Sequence, residues 1–243
     1  MRLSRLFVDM PLKVGQEIIL PNESAHYLLN VLRLRQGTSV ILFNGQGGEY
    51  IASLIATSKK NAQLQVLEYK AIERESTLQL TLVQAISRPE RMDYTIQKAV
   101  ELGVQRIIPV ITERSPPLDK TKISKREQHW RKIIISASEQ CGRNRLLLLN
   151  KVLPLTAWLV AEPPRENCIV LSPTGKKHLP TIIKSAEPIT ALIGAEGGLS
   201  EAEIQLAIRA NYQDIRLGSR ILRTETAAIT VLAVCQALWG DLL

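Results

Sequence analysis

From residue 78 to the C-terminus, apolar runs alternate with helical patterns, and this alternation constrains the fold more than any other feature of the chain. The runs 78–85, 106–111, 167–171, 189–193 and 214–217 read as strands, and 89–102, 124–140, 200–210 and 224–238 as helices. Pro89 suits a first helical turn and Gly103 a helix stop. Ser124 with Glu127, and Ser200 with Glu203, have the spacing of capping boxes. Strands that alternate with helices pair in parallel, because each crossover helix must cover a sheet face. A mostly parallel sheet covered on both faces is therefore expected.

Before residue 70 the pattern is different. Segments 38–44, 49–56 and 62–69 read as strands, separated by the Gly45–Gly48 turn and by a tip at Lys59-Lys60-Asn61. One short helix, 22–32, is expected, with Asn22 as its cap and Ala25, Leu28, Leu29 and Leu32 along one face. Short strands, glycine turns and a single helix suggest a small barrel. The segment 73–77 is the expected linker, which divides the chain into domains 1–72 and 73–243.

The formal net charge is +8, which favours a polyanionic partner, nucleic acid before an acidic membrane surface. Residues 113–151 hold 10 Lys/Arg against 4 Asp/Glu. Within them, Arg143 and Arg145 follow Gly142, where an arginine can hold a phosphate or stack on a base. Arg33 and Arg35 form a smaller basic pair after the first helix. Cys141, Cys168 and Cys235 make no CxxC pair, and His26, His129 and His178 stand apart, so neither a disulfide scaffold nor a metal site is expected. The N-terminus lacks a signal-peptide pattern, and the apolar run 227–234 is too short to span a bilayer, so no membrane association and a reducing, cytoplasmic setting are expected.

Two loops carry the chemistry. Gly194-Ala195-Glu196-Gly197-Gly198 sits where the strand 189–193 ends, the edge at which open α/β sheets bind ligands. Its spacing matches neither the phosphate-cradling P-loop nor the dinucleotide fingerprint, which points to a ligand without a pyrophosphate. Thr174-Gly175-Lys176 reads as a plain turn. The second loop, 217–228, places Arg220, Arg223, Glu225, Thr224 and Thr226 between a glycine turn and an apolar helix. Charge at the mouth of an apolar helix calls for a partner.

These motifs resemble the ribosomal RNA small subunit methyltransferase E family, within the SPOUT superfamily. The resemblance rests on Gly194-x-Glu196-Gly197-Gly198 and on Leu217-Gly218-x-Arg220-Ile221-Leu222-Arg223-Thr224-Glu225-Thr226-Ala227. It rests also on His26 through Leu34, Gln97 through Val104, Glu113-Arg114-Ser115 and Glu139 through Arg143, in that family's order. Ala195 and Leu199 depart from the proline and phenylalanine usual there, and Cys141 stands where serine is frequent.

The resemblance implies an α/β protein: an N-terminal PUA-like small β-barrel, and a C-terminal SPOUT domain with a mostly parallel sheet and a deep trefoil knot. It implies S-adenosylmethionine as cofactor, methylation of uridine N3 in 16S rRNA of the small ribosomal subunit, and a homodimer formed through the knot region. The implied cofactor residues are Leu171, Ser172, Ile193, Gly194, Glu196, Gly197, Leu217, Gly218, Ile221, Leu222, Thr226 and Ala227. Arg223 is the expected catalytic cation, with Glu196 and Glu225 as alternative proton acceptors, because a positive group stabilises the uracil anion and a carboxylate can take its proton. Arg5, Arg33, Arg35, Arg143 and Arg145 are the expected RNA contacts. A ribose 2′-O-methyltransferase of the same superfamily and a non-catalytic RNA-binding factor are the rival readings.

Overall fold

The computed structural model describes residues 3–57, 61–161, 167–179 and 187–243. Of the expected hairpin tip, Lys59 and Lys60 lie outside the described residues. The chain divides into two compact units, Met1–Glu75 with Ser138–Leu146, and Ser76–Ala137 with Leu147–Leu243.

The first unit is built on a five-stranded sheet. Its strands are β1 (Arg5–Phe7), β2 (Glu17–Ile19), β3 (Ser39–Phe43), β4 (Glu49–Thr57) and β5 (Ala62–Lys70), in the order β1-β3-β4-β5-β2. β1 pairs with β3 in parallel; the other neighbours are antiparallel. Alternate side chains of β4 and β5, Ala52, Leu54, Leu64 and Val66, turn into one core with Leu6, Val8 and Leu42, as the two-residue period of a strand requires. Helix α1 (Asn22–His26) runs on into a wider π-type turn, Tyr27–Val31, and drops Ala25 and Leu28 into that core. Asn22 does not cap this helix. Pro21 holds the cap position, no side chain caps there, and Asn22 is the first helical residue.

The segment after the long helix α3 (Ile123–Cys141) also belongs to this unit and is fixed by charge. Arg143 forks onto Glu75 at 2.5–3.1 Å, and Arg145 reaches Glu73 at 3.2 Å. Arg5 donates to Glu49 and to the Asn144 side chain, and Arg74 joins the same Glu49 carboxylate at 2.9 Å. The stretch 73–75, expected as a linker, is thus held down by ion pairs.

One buried and one half-buried carboxylate of this unit, Glu49 and Glu139, have opposite pH signatures. Burial raises the Glu49 carboxyl, but the hydrogen bonds from Arg74 and Arg5 outweigh it and leave the group below its ordinary 4.5. Its stabilising contribution is present above pH 4.5 and is lost as the pH falls through the folded-state value. Burial pushes Glu139 up, against the Phe7 N–H donated to it at 2.9 Å and the charge of Arg5. Its ionisation therefore opposes folding at neutral pH, and that cost disappears in acid. Glu49→Gln should lower stability at pH 7 by roughly 3–5 kcal/mol, as breaking a buried pair does, with the difference shrinking below pH 4.5. Glu139→Gln should raise the melting temperature at pH 8 and give no gain at pH 4, which thermal unfolding at the two pH values measures.

The second unit has the alternating architecture. Its strands are β6 (Leu80–Ala85), β7 (Arg106–Ile111), β8 (Leu148–Leu149), β9 (Leu153–Pro154), β10 (Cys168–Leu171), β11 (Ile189–Ile193) and β12 (Gln213–Ile215). They run β12-β10-β11-β6-β7-β8, with β9 also on β7, and every pairing is parallel. All five residues of β11 are buried, because a central parallel strand is covered on both faces. Helix α2 (Pro89–Glu101) carries proline in its first turn, and Gly103 follows it at φ +73°. Helices α4 (Leu155–Ala161), α5 (Glu201–Arg209) and α6 (Thr224–Trp239) complete the described helices of this unit.

The Ser200–Glu203 capping box forms, and the Glu203 carboxylate also accepts the Glu113 N–H at 2.8 Å. The one expected at Ser124 is replaced. A 3₁₀ turn, Lys120–Lys122, leads into α3, and Glu127 instead accepts the Val152 N–H and pairs with Lys151, both at 2.9 Å. A tertiary partner has taken the carboxylate that local spacing reserved for the cap. β1, β2, β8, β9 and α4 are too short to show a period and went unread in the sequence.

Candidate functional site

Three chain segments leave the carboxyl edge of the parallel sheet side by side, after β10, β11 and β12, and enclose a cavity of about 300 Å³. Its walls include Leu171, Ser172, Ile193, Gly194, Glu196, Gly197, Leu217, Ile221, Leu222 and Ala227, all anticipated from sequence. Gly218 and Thr226, also anticipated, are not among the lining residues. Pro173, Ala195, Gly198, Arg216, Arg220 and Thr224 line it in addition.

Backbone contact explains why glycines are needed here. A Cβ on Gly194 would meet the Gly198 carbonyl carbon at 2.7 Å and the Leu199 nitrogen at 2.8 Å, so the loop closes on itself only without a side chain. Gly175 has the same constraint. A Cβ there would meet the Ile215 carbonyl carbon at 2.5 Å, where the chain after β10 runs against the end of β12. Ser172 N–H donates to Ile215 O at 3.0 Å, and Arg216 N–H to Lys177 O at 3.1 Å. The Thr174–Lys176 stretch is therefore part of the cavity's framework and more than a plain turn.

Polar side chains brace the glycine loop from outside. The Arg114 guanidinium donates to Gly197 O at 2.7 Å and Leu199 O at 3.3 Å, its stem lying against Gly197. Thr224 Oγ1 donates to Gly194 O at 2.6 Å and accepts from Gln84 Nε2 at 3.0 Å. Glu196 accepts the Arg88 N–H at 2.9 Å. Arg91, in the first turn of α2, stands 3.7 Å from Glu196 and 3.8 Å from Glu225, so one guanidinium holds both candidate proton acceptors. Burial, with the charge of Glu201 adding to it, pushes the Asp214 carboxyl up, and the Ser172 hydroxyl pulls it partly back.

Arg223 is exposed at the cap of α6, immediately before Thr224. In the first unit, Arg33 and Arg35 are exposed, and Arg33 takes φ +53°, the left-handed conformation that ends a helical turn. Arg145 is exposed at its ion pair with Glu73. Arg5 and Arg143 are buried, and their guanidinium groups are engaged with Glu49 and Glu75. Gln84 and Arg91 were missed in the sequence, and Arg114 stood there only as part of the Glu113-Arg114-Ser115 motif, with no role. Gln84 carried a signal, an amide in the apolar C-terminal half of its strand.

Among the described residues no group of three or more His, Cys, Asp or Glu could hold a metal ion, and no helix is long and apolar enough to cross a membrane.

Residues 74–236 match the family described as an RNA methyltransferase domain, and residues 20–67 the one described as an RNA methyltransferase PUA domain. These two matches, which fall on the parallel-sheet unit and the N-terminal unit, define an RNA methyltransferase-domain protein with a PUA domain. A ribosomal RNA small subunit methyltransferase E from Buchnera aphidicola is 32% identical over 99% of this chain and 98% of its own. The enzyme of that name from Neisseria gonorrhoeae, solved bound to S-adenosyl methionine, is 37% identical with a TM-score of 0.93, each chain covered in full. A Legionella pneumophila protein solved with SAM as bound cofactor is 38% identical with a TM-score of 0.96, again over 100% of both chains. The chain belongs to the ribosomal RNA small subunit methyltransferase E family.

Proposed function

We propose that this protein transfers the methyl group of S-adenosylmethionine to N3 of a specific uridine in 16S rRNA of the small ribosomal subunit. The observation that carries the reading is the cavity at the carboxyl ends of β10, β11 and β12. Its dimensions suit a small cofactor. Leu171, Ile193, Leu217 and Leu222 offer apolar walls to a flat ring, and the Gly194–Gly198 and 216–217 backbones offer amide and carbonyl edges. Bound there, S-adenosylmethionine would supply an electrophilic methyl group on a sulfonium.

The chain's own residues have the remaining tasks. Uridine N3 carries a weakly acidic proton on the pairing edge, so the base must be unpaired and presented to the site. Glu196 lines the cavity and Glu225 lies one residue beyond Thr224, so a proton leaving N3 has a carboxylate within the same cluster. Glu196 already accepts a backbone N–H, whereas Glu225 Oε2 is buried with no hydrogen bond. This difference favours Glu225 as the acceptor and Glu196 as the anchor of the loop. Arg91 balances both charges, and the exposed Arg223 would stabilise the negative oxygens that develop on the base.

The exposed Arg33, Arg35 and Arg145 would hold RNA phosphates on the first unit, while Arg5 and Arg143 act through the structure they brace. Helix α6 bears a single charge, Glu225, and leaves Leu238 exposed, which suits pairing with a second copy.

The test is to incubate the protein with methyl-labelled S-adenosylmethionine and small ribosomal subunits that lack the modification, then digest the RNA to nucleosides. Label in 3-methyluridine is the expected result. Label in a 2′-O-methylated nucleoside, or no transfer, would overturn the assignment.

A further inference from the structure

Gln84 is a polar residue in the wrong place for a core. It lies in β6, a strand otherwise buried and apolar along its C-terminal half, and is itself 1% exposed. An amide moved from water into such surroundings costs free energy unless every polar atom finds a partner. Nε2 is well satisfied, donating to Ala85 O at 3.0 Å, to Thr224 Oγ1 at 3.0 Å and, at 3.4 Å, to Gly194 O. Oε1 is buried with no hydrogen bond at all. A leucine or methionine would avoid that cost, so packing does not account for the residue.

The direction of the hydrogen bonds does. A hydroxyl can donate once and accept. Because Gln84 Nε2 donates into Thr224 Oγ1, the single hydroxyl proton of Thr224 is left for Gly194 O, which it reaches at 2.6 Å. Gly194 and Thr224 both line the cavity, and the loop leaves Gly194 no room for a side chain, since a Cβ there would stand 2.7 Å from the Gly198 carbonyl carbon. A trans peptide fixes its C=O and N–H on opposite sides. Holding the Gly194 carbonyl on Thr224 therefore sets the plane of the Gly194–Ala195 peptide at the wall of the cavity.

We infer that Gln84 is a positioning residue for cofactor binding: acting through the Thr224 hydroxyl, its amide orients the Gly194 carbonyl and so presets the glycine loop for S-adenosylmethionine. The inference rests on the proposed cofactor. It goes further in assigning a role to a residue that does not line the cavity.

The experiment measures S-adenosylmethionine binding by calorimetry, and thermal unfolding, for the unaltered protein, Gln84→Leu, Gln84→Glu, Thr224→Val and the Gln84→Leu/Thr224→Val double variant. Gln84→Leu should keep its melting temperature within a few degrees, because the unpaired Oε1 is removed with the donor, while affinity falls about tenfold, the worth of one to two lost hydrogen bonds. Gln84→Glu should bind as poorly, since a carboxylate has no N–H to give Thr224. The double variant should be no weaker than Thr224→Val alone, because both changes break one chain of bonds. Unaltered affinity in Gln84→Leu, or losses that simply add in the double variant, would overturn the inference. Absence of binding by the unaltered protein would instead refute the proposed cofactor.

Discussion

Arg223→Ala is expected to bind S-adenosylmethionine with the affinity of the unaltered protein and to lose methyl transfer by a factor of about 10²–10³ or more, the range seen when one preorganised charge-stabilising donor is removed. The two halves of this expectation have separate structural grounds. Arg223 is exposed and is not among the residues lining the cavity, although its neighbours Leu222 and Thr224 are. Its backbone, not its side chain, supports α6: the Arg223 carbonyl accepts the Ala227 N–H at 2.8 Å, and no side chain caps the helix. Alanine at this position therefore leaves cavity and helix in place and removes only an exposed cation two residues before Glu225. Calorimetry with the cofactor and single-turnover transfer to small subunits separate the two effects. A variant that still methylates at near the original rate would remove Arg223 from the chemistry.

Gly194→Ala should do the reverse, abolishing cofactor binding before any chemistry. The added methyl would stand 2.7 Å from the Gly198 carbonyl carbon and 2.8 Å from the Leu199 nitrogen, distances that no side-chain rotation relieves because both neighbours are backbone. Either the loop opens or the Gly194 carbonyl leaves Thr224, and both distort the wall formed by Ile193 through Gly198. Overpacking of this kind costs about 1–3 kcal/mol in stability. Affinity should fall by more than about a hundredfold, since the displaced atoms are those facing the ligand. Gly218→Ala is the informative control. A Cβ there meets nothing within 4 Å, and its penalty comes only from φ +70°, so a milder loss is expected. Equal affinities for Gly194→Ala and the unaltered protein would show that the loop does not form the binding wall.

Much of the second unit was legible in the sequence for a local reason. Buried parallel strands need uninterrupted apolar residues, and their helices need caps, so 106–111 and 189–193 stand out with correct ends. The glycine loop was legible because Gly194 and Gly197 follow such a strand directly. In the first unit the strands of the hairpin were visible, but β1 and β2 have three residues each and carry no period to detect.

The sequence by itself determined the alternation of elements, the two glycine-bearing loops and the excess of basic charge, all properties of neighbouring residues. Only the tertiary structure decided what the charges and buried amides do. Arg5 and Arg143 read as RNA contacts, yet each is buried against a carboxylate far away in sequence, Glu49 and Glu75. Glu196 and Glu225 read as alternatives, yet both stand near Arg91, a residue with no motif around it. Gln84 became intelligible only through Thr224, 140 residues away. A periodic pattern records which face of an element is buried, because that depends on local geometry. The partner of a buried charge or amide depends on which distant segments the fold brings together, and no local pattern encodes it.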